Sequence, residues 1–134
     1  MMTTSDVGNM IYTIAKNMGI SVFLRGNIPG GEITEERVTI HPKTMTDGDT
    51  WERCYVEVNI NVPDIDEKGT ENLVRLAEVE KLAKNTFQSL VTSFEVDGVK
   101  NWCWVDWESV QRLRDNGLKS GYINVRVLVE HLNI

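Results

Sequence analysis

WERCYVEVNINV, residues 51–62, alternates without a break. Cys54, Val56, Val58, Ile60 and Val62 fall on one side, and Trp51, Arg53, Tyr55, Glu57, Asn59 and Asn61 on the other. Successive side chains of a strand point to opposite faces, so the stretch reads as a strand with one face in a core. At about 3.3 Å per residue its length is roughly 40 Å, long for a strand. Val38 and Ile40 alternate with Arg37, Thr39 and His41 just upstream, and a polar run with Asp47-Gly48-Asp49 at its centre joins the two stretches. Together they predict a long-looped hairpin over 36–62 that projects from the domain. Its first strand should end at Pro42, because proline cannot donate to a ladder.

Outward from the hairpin, helical periodicity takes over. Val7, Met10, Ile11, Ile14 and Met18 form one stripe at i, i+3, i+4, i+7 and i+11, which predicts a helix over 5–18 capped at Thr4 or Ser5 and stopped by Gly19. Residues 20–24 read as a short strand or an extended lead-out, and 25–35, with Gly26, Pro29, Gly30 and Gly31, as a loop. Leu73, Leu76, Ala77, Val79, Ala83, Phe87, Leu90 and Val91 mark a helix over about 70–92. After a turn at Asp97-Gly98, strands are expected over 100–110 and 122–132, joined through 111–120. Burying Asp106 and Glu108 against the valines of the last strand would be costly. The preferred register therefore sets Trp107, Val105 and Cys103 opposite Val125, Val127 and Val129, with Asp106 opposite Arg126. The whole predicts one α+β domain over 1–134, with a mixed or antiparallel sheet of about four to five strands packed with two helices in the order α-β-β-α-β-β.

That register leaves Trp102, Trp104 and Leu128 on the face away from the Cys103, Val105 and Trp107 core. Trp51 and Tyr55 lie on the matching outer face of the long strand. Aromatic residues outside a core need a cover, from the first helix or from another subunit, and Trp and Tyr concentrate at protein interfaces. Trp51, Tyr55, Trp102, Trp104 and Leu128, with Asp47 and Asp49 at the hairpin tip, are the candidate protein–protein interface.

Composition sets limits on function. The chain has 134 residues, 41% hydrophobic and 25% charged, with a net charge of −6. An acidic chain lacks the basic face that nucleic-acid binding usually needs. No apolar run approaches the ~20 residues that span a bilayer, and no secretory leader is legible, so the expected location is the cytoplasm. Cys54 and Cys103 read as buried free thiols. Asp64-Ile-Asp66-Glu67-Lys68-Gly69 matches the first six positions of a calcium loop, but the twelfth is Arg75 rather than the glutamate such a loop requires, so it reads as a solvated loop leading into a helix. His41 and His131 have no Cys, His or carboxylate at ligand spacing in the sequence. Asp106 and Glu108 on one strand could do acid–base work, but read as ordinary strand carboxylates. No cofactor, metal or catalytic site is expected.

The order and style of these pieces resemble the tail-terminator (tail-completion, head–tail joining) proteins of long-tailed phages and prophages. The matching pieces are the helix 5–18, the loop Asn27-Ile28-Pro29-Gly30-Gly31, WERCYVEVNINVPD (51–64), ENLVRLAEVEKLAKNTFQSL (71–90) and GYINVRVLVEHLNI (121–134). The resemblance implies a structural, non-enzymatic subunit that self-assembles into a ring, commonly a hexamer, in the host cytoplasm and the virion. The ring caps the tail tube and meets the head connector, with no membrane and no specific nucleic acid as partner. It does not explain the Trp cluster at 102–107. The competing expectation is a small cytosolic α+β module that binds a ligand or protein in an aromatic-lined site.

Overall fold

The computed structural model describes residues 2–47 and 51–132. Among the described residues there are two helices and six strands, with about 50% in strands. In chain order they are α1 (Thr4–Ala15), β1 (Ser21–Leu24), β2 (Arg37–Asp47), β3 (Trp51–Pro63), α2 (Leu73–Phe87), β4 (Leu90–Val96), β5 (Val99–Asp115) and β6 (Ser120–Leu132). The strands form one curled half-barrel sheet in the order β1-β2-β3-β6-β5-β4. β1 runs parallel to β2, and every other pairing is antiparallel.

One face of the sheet is apolar and carries both helices. Val38, Ile40, Val56, Val58, Ile60, Ile123, Val125, Val127 and Val129 are buried against Val7, Met10, Ile11 and Ala15 of α1 and Leu76, Val79, Ala83 and Phe87 of α2. Each such side chain contributes about 1.5–3 kcal/mol on burial, and a one-residue slip would send a whole strand's set to solvent. That penalty holds β3 in register with β6 from Trp51–Leu132 to Pro63–Ser120. The hairpin over 36–62 is made by β2 and β3. α1 starts one residue before the predicted range. Its cap is Thr3, which accepts from the Asp6 amide while Asp6 accepts from the Thr3 amide. A 3-10 turn at Lys16–Met18 follows, and Gly19 ends it at φ 74°.

Several sequence expectations are corrected. A four-to-five-stranded α+β layout in the order α-β-β-α-β-β is replaced by six strands in the order α-β-β-β-α-β-β-β. One of the extra strands, β4, lies where the second helix was expected to run to 92. α2 stops at Phe87 because the next segment pairs across the Asp97-Gly98 turn. Both turn residues have positive φ, 52° and 79°, and Val96 pairs with Val99 across them, a two-residue hairpin that fixes Leu90–Val96 against Val99–Val105. The other, β1, is the stretch left open as a lead-out. It pairs with β2 only as far as Leu24–Ile40. Beyond that point β2 is a sheet edge, where a missing donor is tolerated, so Pro42 lies inside β2 and only a register shift between Pro42 and Met45 marks it.

The β5–β6 register also differs from the expected one. Cys103, Val105 and Trp107 face His131, Val129 and Val127, and Asp106 faces Leu128 instead of Arg126. Up to Trp107 the offset is two residues, which leaves Cys103, Val105 and Trp107 on their expected face; past the bulge at Glu108 the parity changes, and Val110 rather than Ser109 turns to the core. Burial selects the face but not between registers two apart. The choice is made by a bulge at Glu108 and the four-residue loop 116–119.

Candidate functional site

On the sheet face opposite the helices, β3, β6, β5 and β4 present an aromatic groove. Trp51 opens β3 and Trp104 lies in β5, with β6 between them. Their rings meet edge to face, centroids 4.9 Å apart and planes at 71°, the arrangement the aromatic quadrupole favours. Leu128, Leu90, Val91 and Asp106 complete a groove of about 480 Å³. Its rim is polar: Arg53 Nε donates to Glu130 at 3.0 Å, and the Ser89 amide donates to Asp106 Oδ1 at 3.0 Å. Trp51 and Trp104 are each 39% exposed and Trp102, two residues along β5, is 52% exposed.

The structure therefore brings Trp51, Trp104 and Leu128 into one groove with Trp102 beside it. Tyr55 shares that face further along β3, under the Arg126 guanidinium at 4.1 Å from its ring centroid. Lys100 lies 5.7 Å from the Trp102 ring centroid. The first helix does not cover these residues, since α1 packs on the opposite face. Asp47 ends β2, and Asp49 lies outside the described residues.

The other candidate groups are dispersed. The two aspartates of the 64–69 loop are engaged: Asp64 receives both terminal nitrogens of Arg114 at 2.6 and 2.7 Å, and Asp66 accepts from Lys68 and Thr70. His41 meets Thr39 at 3.0 Å, and its pKa is held below the usual imidazole value by burial and by the nearby Lys43 and Arg25. Burial pushes the Cys103 thiol up to about 11 and raises Cys54, so neither is a ready thiolate. Among the described residues no group of three metal-ligating side chains could hold an ion.

One feature escaped the sequence reading. His131 does have a carboxylate and a thiol beside it, Glu52 on β3 and Cys103 on β5, both cross-strand neighbours. Scanning for ligands along the chain cannot find partners that only strand pairing supplies. The usable signal was parity, which puts Glu52 on the Cys54 face and His131 on the Val129 face.

No family model and no curated protein matches the chain. One solved structure, whose name carries no functional description, is similar over 97% of this chain and 92% of its own, at 15% identity and a TM-score of 0.46.

Proposed function

We propose that this chain is a structural subunit that assembles with copies of itself into a ring at a phage or prophage head–tail junction, between the tail tube and the head connector. The observation that carries the proposal is the exposed indole set, Trp51, Trp102 and Trp104, on the sheet face the helices leave open. Tryptophans at partly apolar, polar-rimmed grooves are typical anchors of protein interfaces. The sheet also ends in two unlike edges, β1 and β4. A contact between unlike surfaces is the kind that closes a ring. A net charge of −6 suits a passage that DNA crosses without sticking.

Light scattering behind size exclusion, over roughly 10–500 µM protein, tests assembly by mass action. A species of six times 15.2 kDa, seen as rings by negative stain, is the expected result. A monomer at every concentration overturns self-assembly of the isolated chain. It moves weight to the second reading, a binding module, which the same groove favours because about 480 Å³ falls in the size range of small-molecule pockets. Quenching of tryptophan emission by a ligand then becomes the test.

A further inference from the structure

The apolar core thins out at both ends of the sheet. Val22 and Leu24 of β1 are only partly buried at one end, and Leu90, Phe94 and Val96 of β4 at the other. Both strands are outermost, so among the described residues each has a strand neighbour on one side only. An open edge is a template for another strand, and a protein that does not use one blunts it with proline, lysine or a bulge. β2 is blunted in this way where it runs past β1, by Pro42 and the register shift before Met45. β4 is not. Leu90–Val96 holds no proline, glycine or lysine and pairs with β5 without a shift. Its hairpin with β5 also carries four exposed apolar side chains, Val91, Val99, Trp102 and Trp104.

Strand direction fixes how a second copy joins. β1, β2, β6 and β4 all run opposite to β3 and β5. The two outermost strands therefore point the same way. Repeating the sheet by rotation about an axis along its strands lays β1 of one copy parallel to β4 of the next. Val22 and Leu24 face the core side, as do Thr92 and Phe94. Setting Leu24 beside Phe94 and Val22 beside Thr92 places all of β1 on β4 and keeps the helix-covered face continuous. The next residue, Arg25, then reaches Glu95.

Charge agrees with that register. Residues 16–25 carry Lys16 and Arg25 and no acid, and residues 89–99 carry Glu95 and Asp97 and no base. Arg25, Glu95 and Asp97 are exposed. Among the described residues none of the three makes an ion pair. Lys100, the register partner of Glu95 on β5, lies over the Trp102 ring instead. Pairing β4 antiparallel with β4 of a second copy would bring Glu95 and Asp97 to the Ser89 end of the other strand, where Asp106 is held. Like charges across strands are unfavourable.

We propose that the ring closes by continuing the sheet: β1 of one copy adds in parallel to β4 of the next, with Arg25 against Glu95 and Asp97. The proposal rests on the ring reading and names its joint. Val91 lies on β4 and also lines the aromatic groove, so joint and groove form one surface.

Light scattering behind size exclusion is run on the wild type, Arg25→Glu, Glu95→Arg and the double variant. Each single reversal sets like charges at the joint and should raise the concentration needed for assembly about ten-fold or more. The double variant should recover it. Urea unfolding should not separate the four proteins, because both side chains are exposed. Assembly that ignores all the changes overturns the joint and leaves the ring. Open filaments in place of rings, with the reversals still acting, overturn the ring and leave the joint. A wild type that stays monomeric overturns both. Hydrogen exchange on dilute and assembled wild type gives a second readout. Alternate amides of β1 and β4 point away from their strand neighbours and should gain protection together on assembly. Protection of one strand without the other overturns the pairing, and this result decides alone if a variant does not fold.

Discussion

At the scale of the residue, the clearest electrostatic tie is Asp64 with Arg114. The Asp64 side chain is only 2% exposed, and two charge-assisted hydrogen bonds join the start of the β3–α2 loop to the end of β5. The Arg114 guanidinium holds the Asp64 carboxyl below its usual value of 3.8. A depressed carboxylate stabilises the fold above its unfolded value, and that contribution is lost as pH falls through the folded value. Asp64→Asn is thus expected to lower the Tm at neutral pH and to flatten the decline below about pH 4. Thermal scans from neutral to acid pH check this, and an acid decline as steep as the wild type's would show that other carboxylates dominate. The sequence marked Asp64 only as part of a failed calcium pattern. Its partner lies fifty residues away, and only the fold brings them together.

At the scale of the element, α1 docks on β2 through a close approach. A Cβ on Gly8 would lie 2.7 Å from Pro42 Cγ, and a proline ring cannot swing aside. Gly8→Ala gains about 1 kcal/mol of helix propensity but meets an overpacking cost of about 1–3 kcal/mol. A net loss of about 1 kcal/mol by urea unfolding is expected; a gain would mean that α1 lifts off β2 easily. Phe87, the last residue of α2, is fully buried, and Phe87→Ala should cost about 3–5 kcal/mol in the same measurement. α1 was legible because its apolar stripe and its glycine stop agree. The end of α2 was not. Leu90 and Val91 extend the helical stripe, and the competing signal is the Asp97-Gly98 hairpin, whose strands enclose the same residues. Tertiary pairing overrides local periodicity there.

At the scale of the whole molecule, the open aromatic face should govern assembly while the covered face governs stability. Trp102 is half exposed and outside the core. Trp102→Ser is expected to change folding stability by less than about 0.5 kcal/mol, as at an ordinary surface site. It should raise the concentration needed for assembly at least ten-fold, about 1.4 kcal/mol or more, as loss of an interface anchor does. Size exclusion with urea unfolding separates the two effects, and unchanged assembly would remove Trp102 from the interface. What the sequence alone determined is the partition of faces. Alternation in 51–62 and 122–132 assigns the valines inward and Trp51, Tyr55 and Leu128 outward, because burial penalises any odd slip. What only the tertiary structure decided is adjacency. Glu52 meets His131 because β3 pairs with β6, and Trp51 meets Trp104 because β6 lies between β3 and β5 and a bulge at Glu108 sets the offset of β5. Alternation repeats every two residues and is blind to strand order and to even-numbered shifts, so those choices fall to loop length, the bulge and the packing of the complete sheet.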